Sequence, residues 1–398
     1  MNSTQSSAPT YTRLLMYLAA TLFISISMGM NAIIFPVTME SFKFSEVTMG
    51  LVLASETSAL LLICFSLQWI FKKIGLCLAV AIALLLRTGS LYFISSAEHE
   101  HQWLGFVFVH GIGAYLAVLL LQILITSMRF KKNTTIVNAM YGMMISLGYS
   151  IGPFLVGLST SIPSDSILSK LSEIFVVQRL DVAFSVFFSI VSGFIMLAVG
   201  GKTPGQEDGK SRGLFNIIKD SPGVYCAIAY CGVVIFGITA FITIYGIRNH
   251  MEVYAASMLL VAFITGCIVL EPVYAWISAH FDLRHFLFTN IFVSLIFSAF
   301  LPLVIYDFYQ SVVLLFLWGG ANASCYSVAM SILLTRFEER DMVAANAAFS
   351  LMDSLGGTVG IILIGVAMSS LGSEGLAYIM MLASVLYFSY GLTRYKII

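Results

Sequence analysis

The sequence predicts an all-α membrane protein in which twelve transmembrane helices form two pseudo-symmetric six-helix bundles. The first observation is composition: 59% of the 398 residues are apolar and only 10% are charged, with a mean hydropathy of +0.95. A soluble domain carries about a quarter charged residues, so most of this surface must face lipid. The other two observations are a series of long apolar runs and an internal duplication.

Twelve apolar runs reach the length of about 20 residues that a membrane-crossing helix needs. The first run is longer than the hydrophobic segment of a signal peptide and shows no obvious cleavage site, so we expect it to remain in the protein. In chain order the predicted helices cover residues 14–37, 47–71, 75–96, 103–127, 135–159, 180–200, 222–246, 254–279, 284–305, 310–334, 343–369 and 375–392.

The second half of the chain repeats the first at a nearly constant spacing. Arg336-Phe337 follow Arg129-Phe130 by 207 positions. Further identities lie 208 positions apart, and they pair Asn138-Ala139 with Asn346-Ala347, Ser146-Leu147-Gly148 with Ser354-Leu355-Gly356, Gly152 with Gly360, and Gly157 with Gly365. Shared apolar composition does not keep identities in one order, so we infer duplication of half the protein.

The duplication sets the predicted domain boundaries. The linker between the halves is polar, and the loop of residues 160–179 is long and serine-rich, with a short surface helix expected near residues 167–177. The division is an N-terminal tail (1–13), a first six-helix bundle (14–200), a linker (201–221), a second six-helix bundle (222–392) and a C-terminal tail (393–398).

The lysines and arginines predict the orientation, because cytoplasmic loops are enriched in these residues. With both termini cytoplasmic, the outer loops hold only Lys43, Lys170, Arg179 and Arg248. The inner segments then hold fifteen: Arg13, Lys72, Lys73, Arg129, Lys131, Lys132, Lys202, Lys210, Arg212, Lys219, Arg284, Arg336, Arg340, Arg394 and Lys396. We therefore expect both termini in the cytoplasm, with the tails and the linker on that side.

Two inner loops carry related motifs. After the second helix the chain reads Gln-Trp-Ile-Phe-Lys72-Lys73-Ile-Gly75, and after the eighth it reads Ala-Trp-Ile-Ser-Ala279-His-Phe-Asp282-Leu-Arg284. With twelve spans and a duplicated half, this pattern resembles the major facilitator superfamily, whose loop motif is roughly G-x-x-x-D-R-x-G-R-R. The second copy resembles the form found in YcaD-like and drug-efflux members.

Both copies lack the acidic residue that, in the superfamily, clamps the outward-open state. The resemblance therefore leaves two alternatives for the inner gate. Either other groups hold it, with Lys72, Asp282 and Arg284 as candidates beside Lys73 and Gly75, or the balance between states differs.

A third motif lies in the fourth helix, where His110-Gly111-Ile112-Gly113-Ala114 is similar to the superfamily's R-x-x-Q-G-x-G-A. His110 replaces the glutamine, and Val107 stands where the superfamily has the arginine often tied to proton coupling. The tenth helix carries Trp318-Gly319-Gly320-Ala321-Asn322 in register.

A glycine pattern in the fifth helix resembles the superfamily's antiporter motif, with Val156 in place of one terminal glycine. Glycines four positions apart allow close helix approach, and proline bends a helix. The pattern is either a conformational hinge typical of exporters or plain helix packing. Its residues and their second-half equivalents are Gly148, Gly152, Pro153, Gly157, Gly356 and Gly360.

Four charged residues lie well inside predicted helices, away from the helix ends: Glu56, Arg87, Glu271 and Asp353. A charge at membrane depth costs at least about 2.5 kcal/mol, so each needs a reason. Glu56 and Arg87 lie about 24 Å and 18 Å from the inner ends of consecutive helices, at about 1.5 Å per residue. They form either a structural ion pair or a titrating carboxylate tuned by its arginine partner.

Asp353 lies near mid-depth on the eleventh helix, which lines the cavity in the superfamily. It serves either as a proton or cation-substrate site or as a partner of a polar group such as Asn322. Glu271 precedes Pro272, and we expect it to bond the backbone that the proline frees or nearby basic residues. Neutral candidates for cavity contacts are Asn31, Tyr115, Gln122, Asn322 and Tyr326.

Other classes of function find no support in the sequence. It contains no G-x-x-x-x-G-K-[ST] nucleotide loop, no nucleophile elbow and no zinc helix. His99 and His101 flank acidic residues in an outer loop, where we expect them to be solvated, and the six cysteines lie in apolar runs without metal or disulfide spacing. The charges balance, at 20 basic and 20 acidic residues, which disfavours nucleic acid as a partner.

We therefore expect a transporter and not an enzyme, with no cofactor, no metal and a small-molecule substrate. The prediction is a monomeric secondary transporter of the bacterial cytoplasmic (inner) membrane, exporting an amphipathic compound or metabolite in exchange for protons. Asp353 and Glu56 are the candidate coupling carboxylates. The alternatives are an importer of a sugar, siderophore or organic anion, in which Arg87 would bind the anion, and a sensor that moves no solute.

Overall fold

The computed structural model describes residues 8–128, 134–159, 179–200, 214–278, 280–337 and 341–394. Within these ranges the chain is helical and contains no β-strand, which confirms the predicted all-α class. The helices are α1 (Ala8–Ser41), α2 (Glu46–Ile74), α3 (Leu76–Ser95), α4 (Glu100–Ser127), α5 (Thr134–Ser159), α6 (Leu180–Val199), α7 (Leu214–Asp220), α8 (Pro222–Arg248), α9 (Val253–Ser278), α10 (Leu283–Val304), α11 (Phe308–Arg336), α12 (Met342–Leu371) and α13 (Gly375–Arg394).

Eleven of these helices are long and apolar enough to cross a membrane. The helix α13 holds a shorter apolar stretch, Gly375–Gly391, and α7 has only 7 residues. With α13 counted, twelve long helices correspond in order to the twelve predicted spans.

The helix ends differ from the predicted boundaries in three places. The described part of α1 already includes Ala8, inside the predicted tail. The helix α7 lies inside the predicted linker, and α13 continues to Arg394 in the predicted C-terminal tail. Helices extend past their apolar cores, so hydropathy marks the apolar core of a helix and not its ends. The expected surface helix near residues 167–177 lies outside the described residues.

Short polar turns fix where several helices begin. Gly75 alone separates α2 from α3, with a φ of 74° that favours glycine. The side chain of Ser45 accepts a hydrogen bond from the N–H of Thr48 at the start of α2. Asp307 caps α11 in the same way, so these turns satisfy N–H groups that have no partner within the helix.

The two halves repeat each other in contacts as well as in sequence. A Cβ on Gly148 would lie 2.8 Å from the carbonyl oxygen of Leu22, and one on Gly152 would lie 2.5 Å from that of Ile26. In the second half, a Cβ on Gly356 would lie 2.0 Å from the carbonyl oxygen of Ala229. The glycines are 208 positions apart and their partners Leu22 and Ala229 are 207 apart, so α5 packs on α1 as α12 packs on α8.

The halves meet through α2 with α12, α5 with α9, and α1 with α8. We call the end of the bundle where α1 begins the terminal face and the opposite end the distal face. At the distal face Arg248 of α8 bonds Glu40 of α1 and Glu46 of α2. Nearer the middle, the hydroxyls of Thr57 and Thr358 lie 3.0 Å apart. The distal side of the interface is therefore held closed in this structure.

Candidate functional site

A pocket lies between the two halves, near the middle of the helices. Its walls come from α1, α2, α4 and α5 of the first half and from α8 and α12 of the second. The space open to water-sized molecules is about 50 Å³, enough for about four waters. The polar side chains in its wall are Glu56, Thr57, Tyr115, Tyr149 and Thr239.

Glu56 is the charged residue of this wall. Its Oε1 atom lies 3.3 Å from Nδ1 of His110, and its side chain is 20% exposed while His110 is fully buried. Gly111 makes this approach possible, because a Cβ there would lie 2.7 Å from the carbonyl oxygen of Glu56. The glycine of the α4 motif therefore brings α4 against α2 at the position of the carboxylate.

Behind Glu56, hydrogen bonds continue into the first half. The Nδ2 atom of Asn31 lies 3.0 Å from Nε2 of His110, and Ser185 donates to Oδ1 of Asn31 at 2.8 Å. An amide nitrogen can only donate, so Nε2 of His110 accepts. In the neutral ring the proton then lies on Nδ1, the atom that faces Glu56.

Arg87 closes this network at its far end. The guanidinium donates from Nε to Ser189 and from Nη2 to Ser27, both at 2.8 Å. The hydroxyl of Ser27 in turn lies 2.7 Å from that of Ser185. One chain of polar contacts thus leads from the pocket to a fully buried arginine.

The predicted Glu56–Arg87 ion pair is not formed in the described part of the chain, where the Glu56 carboxylate lies against the His110 imidazole instead. Arg87 turns instead toward α1 and α6, whose serines supply acceptors at hydrogen-bond distance. The residues share one network without direct contact, because α4 supplies the partner of Glu56 and α6 supplies that of Arg87.

A sequence profile described as the Major Facilitator Superfamily matches residues 17–269 and 249–395, nearly the whole chain. The chain belongs to the major facilitator superfamily.

Solved structures of the same architecture include the nucleoside transporter NupG, which is 11% identical with a TM-score of 0.78 and covers 96% of this chain and 99% of its own. A bacterial homologue of the human lysosomal transporter Spinster, inward-facing and unoccupied, is 15% identical with a TM-score of 0.73, covering 98% of this chain and 99% of its own. At these identities the likeness shows the fold alone. A search of curated proteins found no match.

In this member of the superfamily, Asp353 of α12 is a further carboxyl near the middle of the helices. Its Oδ1 atom is buried and lacks a hydrogen-bond partner among the described residues. No hydrogen bond joins it to the alternative partner Asn322 among the described residues, and the Oδ1 of Asn322 is itself buried without a partner there. Asp353 lies close enough to Tyr115 and Tyr326 for charge on its carboxyl to act on both rings.

The remaining candidates lie at different places. Of the neutral ones, only Tyr115 is in the wall of the pocket, while Asn31 is buried behind it. Gln122 is exposed on α4. Glu271 accepts a hydrogen bond from Ser327 of α11. This side-chain partner replaces the expected backbone or basic partner, because α9 packs closely on α11.

The glycines of the antiporter-like motif pack helices together. Gly148 and Gly152 lie against α1, and a Cβ on Gly157 would lie 2.5 Å from the ring of Tyr254 in the other half. Pro153 lies inside α5, which remains one helix from Thr134 to Ser159. The contacts fit the packing interpretation for the first two glycines and place the third at the interface that a hinge would need.

The inner-gate candidates are described only in part. The side chains of Lys72 and Lys73 lie outside the described residues. Asp282 caps α10 by accepting from the N–H groups of Arg284 and His285 at 2.9 and 3.3 Å, and these bonds lower the pKa of its carboxyl below the ordinary 3.8. Its observed role is therefore a helix cap.

Sequence reasoning missed most of the buried network. His110 was noted only as a departure from a motif, and Tyr149, Thr239 and the serines were not singled out. One signal was available: Ser185 and Ser189 lie four positions apart on a predicted span, a spacing that puts both hydroxyls on one helix face, where they bind other helices.

Proposed function

We propose that this chain is a secondary active transporter that exports a small amphipathic compound or metabolite by alternating access, coupled to protons. The observation that carries the proposal is the pocket between the two halves with the Glu56 carboxylate in its wall. Transporters of this architecture bind substrate near the membrane midplane where two repeats meet. A titratable group in that pocket can sense both the substrate and the state of the halves.

The contacts between the halves support alternating access. Arg248, the Thr57–Thr358 pair and Tyr254 against Gly157 all hold the middle and distal parts of the interface together. Rocking the halves about the pocket would break these contacts and open the distal face. The structure then corresponds to the state closed on the distal side.

Coupling requires a proton site whose occupancy depends on the pocket. Glu56 meets the pocket on one side and the Nδ1 side of His110 on the other, so it can exchange a proton with pocket water while the imidazole stays neutral. The fixed Asn31 bond holds the ring with Nδ1 toward the carboxylate. Asp353 is the second candidate carboxylate for this role.

The fifteen-to-four distribution of basic residues assigns the terminal face to the cytoplasm. The site of action we propose is a bacterial cytoplasmic (inner) membrane, with the protein acting as a monomer. The glycine pattern of α5 and the second inner-loop motif favour efflux and the YcaD-like or drug-efflux branch. The importer alternative required Arg87 to bind an anionic substrate. Arg87 is fully buried behind the network and is not in the pocket wall, so its position does not support that alternative.

Inside-out vesicles with an imposed pH gradient test this proposal. A pH-sensitive dye reports proton movement while cationic drugs, sugars, nucleosides and iron chelates are added in turn. Collapse of the gradient with one compound, lost in Glu56→Gln, is the expected result. Glu271→Gln is the matched control, since this intramembrane carboxyl lies outside the pocket wall and should leave proton movement intact.

Two outcomes count against the proposal. If no compound moves protons while folded protein is present, proton-coupled export is wrong and the sensor alternative gains support. If Glu56→Gln behaves like wild type with an active compound, the carboxylate of the pocket wall is not the coupling group.

A further inference from the structure

The carboxyl of Asp353 lacks the compensation that other interior charges have. Its Oδ1 atom is buried without a hydrogen-bond partner, and no lysine, arginine or histidine lies within ion-pair distance of it in the described ranges. Glu56, by contrast, has His110 beside it and Arg87 behind it. A charge at membrane depth is retained only with a partner or a function.

Three helices of the second half converge on this carboxyl. On α8, a Cβ at Gly232 would lie 3.1 Å from Oδ1 of Asp353, so the glycine leaves the oxygen room. On α11, Asn322 and Tyr326 are one turn apart and share a face. Asn322 is 5% exposed, and its Oδ1 is a second buried acceptor without a donor in the described part.

Two buried acceptor oxygens on these helices lack a hydrogen-bond partner among the described residues, which favours a ligand that brings positive charge or N–H groups. A buried acceptor without a hydrogen bond costs about 1–3 kcal/mol of folding free energy. Aromatic rings complete the surroundings: Tyr115 lies within electrostatic reach of the carboxyl, and Tyr326 packs edge-on against Phe349 at a centroid distance of 4.6 Å. Aromatic ring faces attract ammonium groups, so these rings can complete a cation site beside the carboxyl.

We propose that Asp353 binds the positively charged nitrogen of the transported compound, so the substrate class is a small organic cation. This inference rests on the proposed transport function and assigns the two interior carboxyls different tasks. Glu56, paired with His110, handles the proton, while Asp353 neutralises the substrate. Tyr115 shares the pocket wall with Glu56 and is within electrostatic reach of both carboxyls.

The internal duplication supports this division. The position equivalent to Asp353 in the first half, 208 residues earlier, is Ile145. The position equivalent to Glu56 in the second half, 207 residues later, is Phe263. The carbonyl of Phe263 faces Gly319 in the same way as the carbonyl of Glu56 faces Gly111. Each carboxyl therefore occurs in one half only.

Ligand-dependent thermal stabilisation of the full-length protein in detergent tests the inference. The probes are choline, benzyltrimethylammonium and tetraphenylphosphonium, with sodium chloride and the uncharged choline isostere 3,3-dimethyl-1-butanol as comparisons. We expect at least one organic cation to stabilise the wild type and the isostere and sodium to have no effect. Asp353→Asn should weaken that binding about 30-fold or more, as loss of one partner of a buried charge pair does.

Conservative and distant variants separate charge from structure. Asp353→Glu keeps the charge and should retain part of the affinity, while Glu271→Gln should bind as wild type does. If Asp353→Asn fails to fold, the comparison of choline with its neutral isostere on the wild type still decides. Equal stabilisation by both, stabilisation by sodium alone, no stabilisation by any cation, or unchanged binding in folded Asp353→Asn would each overturn the inference.

The results also separate this inference from the proposed function. A neutral compound that moves protons through Glu56 would overturn the cation site and leave the transporter proposal standing. Cation binding through Asp353 without any proton movement would support the cation site and overturn the proposed proton-coupled transport.

Discussion

Replacing Arg248 with alanine should shift the protein toward a state open at the distal face. Arg248 is on α8 of the second half, and its guanidinium donates to both carboxylate oxygens of Glu40 at 2.9 and 3.1 Å. It also bonds Glu46 at the start of α2. One side chain thus ties the second half to two helices of the first. Rocking of the halves separates these partners, so the bonds stabilise only the state closed at that face.

The size of the shift follows from the geometry and exposure of the triad. A hydrogen bond to a charged group contributes about 1.5–3 kcal/mol when shielded, whereas exposed ion pairs contribute about 0–1 kcal/mol. The three side chains are 20–25% exposed, which places the combined contribution at about 2 kcal/mol. Since 1.4 kcal/mol is a factor of ten, the ratio of closed to open molecules should fall about 30-fold.

Double electron–electron resonance between two distal labels measures this ratio. Spin labels at Glu98→Cys and Tyr306→Cys, in a background without the six native cysteines, report the separation of the halves. Arg248→Ala should add a population at longer distance. Arg248→Lys keeps the charge but loses the fork that reaches two oxygens, so its shift should be smaller. Distance distributions identical to wild type in both variants would refute the gating role.

Three further predictions follow from single contacts. Gly152→Ala should lower the stability in detergent by about 1–3 kcal/mol, because its Cβ would meet the backbone of α1 at 2.4 Å, whereas Gly142→Ala on the same helix meets nothing within 4 Å and should not. Asp282→Ala should lower the melting temperature at pH 7. The pKa of the capping carboxylate is lowered in the folded protein, so the carboxylate stabilises the fold at neutral pH, and the difference in melting temperature between variant and wild type should vanish well below pH 3.8. Ser294→Ala should destabilise the protein without changing the pH profile of transport, because the Ser294 hydroxyl accepts hydrogen bonds from two neutral donors. Ser189→Ala should change both the stability and the pH profile, because it leaves an N–H group of the buried Arg87 without its acceptor.

The architecture could be predicted because it depends on averages over many residues. Apolar runs of membrane-spanning length and the offset near 208 predicted the all-α, two-bundle fold, and the contacts of Gly148 and Gly356 repeat at that offset. The predicted spans mark the apolar cores, and the helices α1 and α13 continue past them. Hydropathy reports which part of a helix lies in lipid, whereas capping residues and turns determine where the helix begins and ends.

Partners of the interior charges could not be predicted from depth along a helix. Depth brought Glu56 and Arg87 to similar levels, yet the rotation of each helix decides which neighbour a side chain meets. That rotation depends on close approach at Gly111 and Gly113, which lie against the backbones of α2 and α3. Single-residue contacts of this kind leave no periodic signal, so His110 emerges as the partner of Glu56 only in three dimensions.

The duplicated halves differ in sequence at the buried charges of the first half. The first-half residues Glu56, Arg87 and His110 correspond, at 207 or 208 positions, to Phe263, Ser294 and Trp318 in the second. The second-half positions still form a contact cluster: the Trp318 indole donates to Ser294 at 2.5 Å and packs edge-on against Phe263.

The packing is therefore shared by the two halves, while the network of Glu56, His110 and Arg87 occurs in the first half only. In the proposed mechanism one of the two rocking halves is enough to carry the proton, because the other moves relative to it. Placing this network in one half keeps it intact within a rigid bundle during rocking. Only the face of Glu56 in the pocket then changes its surroundings between states. That is the condition under which binding at the pocket can change the affinity for a proton.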